Sequence, residues 1–193
     1  MNEVLNNIKS RRSTRSFLDV PVKKEDIDLI IEAGRYAPSA MNGQKNLFTV
    51  ITSKEKLDFL DNFVRETYAF LYEKHLKGED IEESLIRKVD ENYHFFYKAP
   101  AIVIVTNEKD NRNGKADVSV ALQNMFLMAE SIGLGTCWIN QLCSLEKVDS
   151  IRKLLDSYGI PSNHFVGGVC AIGYIDKPTP IKPRKEGVVN YVD

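Results

Sequence analysis

Hydrophobic and polar positions alternate along this chain in two rhythms, one close to 3.6 residues and one either close to 2 or unbroken. Residues 2–10 read as a short helix, followed by the polar and basic stretch RRSTRSF. From Val22 to Tyr36, Ile27, Ile30 and Ile31 recur at helical spacing after Lys23, Lys24 and Glu25, and Gly34 with Pro38 marks the end. LFTVIT at 47–52 is rich in β-branched and aromatic residues and predicts a strand. Residues 54–90 are charged and periodic, which predicts helix. AIVIVT at 101–106 is a nearly continuous apolar run, the pattern of a central strand covered on both faces.

The segment VSVALQNMFLMAESIG at 118–133 is too apolar for a surface helix. Its Val118, Val120, Ala121, Leu122, Met125, Phe126, Leu127, Met128, Ala129 and Ile132 cover nearly the whole circumference. That predicts burial on most sides, in the core or against another subunit. TCWI at 136–139 and HFVGGVCAIGYI at 164–175 read as strands, with helical KVDSIRKLL between them. Mixed helix and strand in this order predict an α+β or α/β sheet around a central helix.

A length of 193 residues without repeats or low-complexity linkers predicts one domain. Lys and Arg total 26 against 27 Asp and Glu, a net charge of −1, so no global basic excess is present to bind nucleic acid. Any anion site must be local. No window approaches a membrane span, and the first residues lack a signal-peptide core, so a soluble cytoplasmic protein is expected. Cys137, Cys143 and Cys170, like His75, His94 and His164, are scattered rather than paired at ligand spacing. No metal is expected, and the cysteines read as small hydrophobes.

Glycine-rich phosphate loops, HExxH and GxSxG motifs are absent. Polar chemistry concentrates in three places instead. RRSTRSF sets Arg11, Arg12, Ser13 and Arg15 within five residues, able to surround a phosphate and offer a fork to a carbonyl edge. APSAMNGQ carries Ser39, Asn42 and Gln44 in a loop suited to the rim of a heterocycle. IKPRK clusters Lys182, Arg184 and Lys185. Taken singly, each is ordinary for a solvated face or a loop.

Taken in order, these segments with KAPAIVIV, the A-D-x-x-x-A-x-Q-N-M helix and GLGTCWI resemble the nitroreductase family of flavin enzymes, from about residue 8 to residue 185. The stretch at 54–95 is the least similar and reads as a helical excursion. The resemblance implies an α+β fold with a central mixed sheet flanked by helices, in an intertwined homodimer holding FMN at the subunit interface. It implies a hydride taken from NADH or NADPH and passed, by ping-pong kinetics, to a small planar acceptor such as a nitroaromatic, quinone or flavin. It also admits a specialised flavin enzyme, dehalogenase-like or azoline-oxidising, or a flavin-binding module without turnover.

Residue by residue, the resemblance places Arg11, Arg12 and Ser13 at the FMN phosphate and ribityl chain, and Arg15 beside the pyrimidine edge of the ring. Pro38, Ser39, Ala40, Asn42 and Gln44 match the loop that approaches the flavin of the other subunit. Trp138, Ile139 and Asn140 match the segment beside the reactive nitrogen. Trp138 and Asn140 stand where the best-known bacterial members hold Pro and Glu, so the backbone contact is what carries over. Lys182 and Arg184 match a C-terminal phosphate clamp. Asp117 stands where a ribityl-contacting Gln can occur, and could equally be a helix N-cap. Lys45 and Asn46 replace the Pro-Trp of many members. The aromatics between 59 and 97 read mainly as core, with Tyr68, Phe70 and Tyr72 as candidates to face a planar substrate. The flavin carries the chemistry, so no catalytic side chain is expected.

Overall fold

The computed structural model describes residues 2–192. Helix α1 spans Glu3–Ser10, and the Asn2 side chain accepts from the Leu5 amide at 2.9 Å to cap it. Helix α2 spans Lys24–Arg35 and buries Ile27 and Ile30 of the three isoleucines its spacing singles out, with Ile31 partly buried beside them. Strand β1 (Leu47–Ile51) leads into helix α3 (Lys54–Leu76), then strand β2 (Ala101–Glu108) and helix α4 (Gly114–Ser131). Strand β3 (Gly135–Ile139), helices α5 (Gln141–Leu145) and α6 (Asp149–Ser157), and strand β4 (His164–Gly173) complete the order.

The sheet runs β1-β2-β4-β3, and all three ladders are antiparallel. The expected mixed character is confined to one isolated parallel bridge between Ser13 and Thr136 at the β3 edge. Strand β2 is buried from Ala101 to Asn107 because both its faces are covered. Ile102 and Ile104 pack with Leu57, Leu60 and Val64 of α3, while Ala101, Val103 and Val105 pack with Val118, Leu122 and Met125 of α4. Period-2 alternation between two apolar layers is what the unbroken run at 101–106 records. Gly168 on β4 lets α4 come close, since a Cβ there would lie 2.7 Å from Leu122 Cδ1 and 3.0 Å from Trp138 Cε2.

The periodic segment predicted as helix to residue 90 ends at Leu76. Gly78 sits at φ 83°, with its amide bonded to the His75 carbonyl and that of Glu79 to the Lys74 carbonyl, a glycine stop that satisfies the last carbonyls. Beyond it the chain is irregular to Pro100 apart from one 3₁₀ turn at Glu83–Leu85. Phe95 and Phe96 anchor this segment in the core. Helix α4 is buried along Val118, Ala121, Leu122, Met125, Phe126 and Ala129, whereas Val120 remains exposed. Among the described residues no helix is long and apolar enough to cross a membrane.

Candidate functional site

The basic segment after α1 is zipped along the β3 edge of the sheet. The Thr14 amide donates to the Thr136 carbonyl at 2.8 Å, Leu18 to Tyr174 at 2.9 Å, and Phe17 bridges Ile175. This register spreads the arginines. Arg11 lies over the Phe126 ring at 5.7 Å and Arg15 over Tyr97 at 5.9 Å. Arg12 reaches back and donates to the Lys9 and Arg11 carbonyls, both at 2.6 Å, closing the end of α1. Among the described residues none of the three forms an ion pair. The Tyr97 hydroxyl, and then the nearby Cys137, hold the Arg15 guanidinium above its ordinary value.

On the same edge, Trp138 packs edge-on to Phe126 at 6.1 Å and donates from Nε1 to Asn140 Oδ1 at 2.6 Å. Trp138, Ile139 and Asn140 form one wall of a cavity of about 250 Å³. Tyr68 of α3 and Arg87 and Tyr97 of the irregular segment also line it. Burial pushes the Tyr68 hydroxyl up to about 12, so it stays a neutral donor at physiological pH. Of the three aromatics predicted from α3, Tyr68 lines this cavity. Phe70 points outward beneath Lys74, and Tyr72 packs beside His75. A larger cavity lined by Phe17, Asp61, His94 and Pro100 contains none of the predicted residues.

The loop holding Pro38, Ser39, Ala40, Asn42 and Gln44 leads into β1, at the opposite edge. Three strand spacings, about 14 Å, separate the two edges. Met41, Asn42 and Gln44 adopt φ of 52°, 55° and 50°, a strained run held by the Gln44 amide donating to Ser39 Oγ at 3.0 Å. Asp117, near the start of α4, accepts from the Ala40 amide at 3.0 Å and from Asn111 Nδ2 at 2.9 Å. The N-cap of α4 is Asn113, so Asp117 braces the loop rather than capping the helix. Lys45 pairs with Glu108, and Asn46 donates to the Asp117 carbonyl at 3.1 Å and accepts from Asn107 at 2.7 Å.

The segment after β4 returns to the basic edge. Asp176 donates from its amide to the Ser16 carbonyl and accepts from Ser16 Oγ, and Thr179 donates to the Ser13 carbonyl at 3.0 Å. Lys182 and Arg184 lie three and five residues beyond that contact and are exposed. The structure therefore gathers Arg11, Ser13, Arg15, Trp138, Ile139, Asn140 and the start of the tail at one edge. It leaves the 38–44 loop and Asp117 at the other.

Two residues of this edge carry no signal in the sequence. Tyr97 is one of a run of core-like aromatics, yet with Lys98 it adopts a left-handed φ, 59° and 55°, that turns it toward Arg15. Arg87 is one charge in a charged stretch, and only the irregular backbone brings it to the cavity.

The sequence profile of the nitroreductase family matches residues 8–174. A crystal structure of a nitroreductase with bound FMN from Bacteroides fragilis superposes with a TM-score of 0.88 at 36% identity, covering all of both chains. An NADPH-flavin oxidoreductase from Vibrio harveyi is 30% identical over 190 residues, 95% of this chain and 70% of that one. An FMN reductase [NAD(P)H] from Bacillus subtilis is 28% identical over the same length and shares. The order of the basic edge, the strained loop and the α4 motif thus coincides with a match over most of the sequence and a counterpart of the whole fold, and the chain belongs to the nitroreductase family.

Proposed function

We propose that this protein is an FMN-dependent oxidoreductase that takes a hydride from NADH or NADPH and passes it to a nitroaromatic, quinone or flavin acceptor by a ping-pong route. One observation carries the reading: Arg11 and Arg15 stand on one sheet edge with no carboxylate paired to either of them among the described residues. Unneutralised guanidinium groups beside serine and threonine hydroxyls are a donor set for a phosphate and for an electron-rich carbonyl edge. The relative from Bacteroides fragilis holds FMN, and those from Bacillus subtilis and Vibrio harveyi are named as an FMN reductase and an NADPH-flavin oxidoreductase.

Arg11, Ser13 and the tail residues Lys182 and Arg184 hold the phosphate end. Arg12, already bonded to α1, keeps that helix end closed behind it. Arg15, fixed by Tyr97, faces the pyrimidine edge, where its charge favours the reduced ring. The backbone of Trp138–Asn140 runs beside the ring, and the 250 Å³ cavity receives donor and acceptor in turn. When bound, FMN supplies the hydride exchange itself.

The protein acts as a homodimer of single nitroreductase-like domains. Within one chain the 38–44 loop leads into the edge strand opposite the arginines, and a second copy supplies the loop that completes the site. Exposed apolar side chains on α1 (Val4, Leu5, Ile8) and the tail (Val188, Val189, Tyr191) support such a contact. Purified protein that is yellow and dimeric by light scattering, with flavin bands that bleach promptly under anaerobic NADH or NADPH, is the expected result. A colourless monomer that FMN cannot reconstitute overturns the proposal. Flavin bands that persist assign the chain instead to the specialised or non-catalytic flavin proteins.

A further inference from the structure

We infer that Arg87 selects the acceptor, anchoring a planar single-ring aromatic that carries a carboxylate or comparable oxyanion. This rests on the oxidoreductase reading and names its substrate class. The segment at 77–92 contains six carboxylates, Glu79, Asp80, Glu82, Glu83, Asp90 and Glu91, any of which could neutralise a neighbouring arginine. Glu79 pairs with Lys74 and Glu82 with Lys147, while Arg87 forms no ion pair among the described residues. Its guanidinium lies instead over the rings of Tyr68, at 5.6 Å, and Tyr93, at 5.8 Å.

The two rings meet edge to face at 87°, so they flank the guanidinium from two directions, and among the described residues no carboxylate takes its N–H donors, which keep the fork geometry that matches a carboxylate. Tyr93 is itself held by Gln141 Nε2, which donates to its hydroxyl at 3.2 Å. The site is thus braced from α5 as well as α3.

Among the described residues the cavity that Arg87 lines has no acidic residue in its wall, and Arg87 is the one charged residue there. Tyr97 and Trp138, both part-exposed, supply aromatic surface, with Tyr68 buried behind it, and Ser84, Gln141 and Ser144 supply neutral hydrogen-bonding groups. At about 250 Å³ it falls below the roughly 300–1,000 Å³ of pockets for drug-sized ligands, which suits one aromatic ring. A second source of oxyanion exists in the diphosphate of the nicotinamide donor. The size of the cavity and its aromatic walls favour the acceptor, and the test separates the two.

The test uses FMN-loaded protein and two acceptors of equal shape, 4-nitrobenzoate and 4-nitrobenzamide, which differ in the charge para to the nitro group. Wild-type protein favours the benzoate in kcat/KM. Arg87→Gln lowers the benzoate-to-benzamide ratio about tenfold, while Arg87→Lys, keeping the charge without the fork, lowers it less. Independently of turnover, benzoate raises the melting temperature of the oxidised holoprotein more than benzamide does, and Arg87→Gln abolishes the difference. An unchanged ratio and an unchanged thermal difference overturn the inference. So does a raised KM for NADH or NADPH with the acceptor ratio intact, which gives Arg87 to the donor. Absence of turnover with every acceptor overturns the oxidoreductase reading instead, and the benzoate shift still decides the role of Arg87.

Discussion

Thr179 donates its side-chain hydroxyl to the backbone carbonyl of Ser13 at 3.0 Å, across 166 positions of sequence. The contact fixes Thr179, at the base of the tail that carries Arg184, beside the segment that carries Arg11, although the two lie near opposite ends of the chain.

Arg184→Ala therefore weakens FMN binding roughly tenfold to a hundredfold, the worth of a charge-assisted hydrogen bond of about 1.5–3 kcal/mol. Riboflavin lacks the phosphate and loses little. Titration of both flavins into apoprotein separates the outcomes. Equal losses assign the side chain to the fold, and no loss for either makes the tail a solvated extension.

Arg15 is held over Tyr97 and keeps its full charge at any working pH. Removing a cation of about 1 kcal/mol influence shifts a two-electron couple by on the order of 20 mV. Arg15→Ala should accordingly lower the potential of the bound flavin by that order while the protein stays folded. Equilibration against a reference dye measures it, and an unchanged potential with FMN still bound removes Arg15 from the ring edge.

The buried Asp117 carboxylate accepts from Ala40 and Asn111. Asp117→Ala leaves both donors without that partner, at a cost of about 1–3 kcal/mol. Amide exchange across residues 38–46 should quicken as the loop loosens, together with a lower melting temperature. A rise in the FMN dissociation constant with unaltered exchange would instead place Asp117 on the cofactor.

His164 is buried against Thr106, at 3.0 Å between Nδ1 and Oγ1, and burial holds its pKa below the usual 6.5. The fold favours the neutral ring. Its contribution to stability is complete above the unfolded pKa and is lost as pH falls through 6.5 toward the folded value. Urea midpoints should decline from pH 7.5 to pH 5.5, less steeply in His164→Gln. Glu146, raised by burial, contributes in the opposite sense and is common to both proteins, so the difference between them isolates the histidine.

The amino-acid sequence by itself determined the elements whose pattern is local. Alternation and apolar runs located β1, β2, β3 and β4, helical spacing located α2 and α4, and the order of short motifs carried the family resemblance. It also put Arg11, Ser13 and Arg15 on one short segment, while the register of that segment on the sheet edge set Arg11 over Phe126 and Arg15 over Tyr97. Tertiary structure decided the rest. The glycine stop at Gly78 ended α3 fourteen residues before the charged periodicity did, since a left-handed glycine overrides a weak amphipathic pattern. Antiparallel pairing put β1 and β3 at opposite edges, so the 38–44 loop and the arginines of one chain stand apart however close their motifs lie in sequence. Arg12 bonds the nearby carbonyls of Lys9 and Arg11, a local contact, whereas Asp117 reaches the Ala40 amide 77 positions away, an acceptor and donor that only folding brought together. Arg87 and Tyr97 joined the cavity for the same reason, because long-range packing of Phe95 and Phe96 sets the path of a segment that has no periodicity of its own.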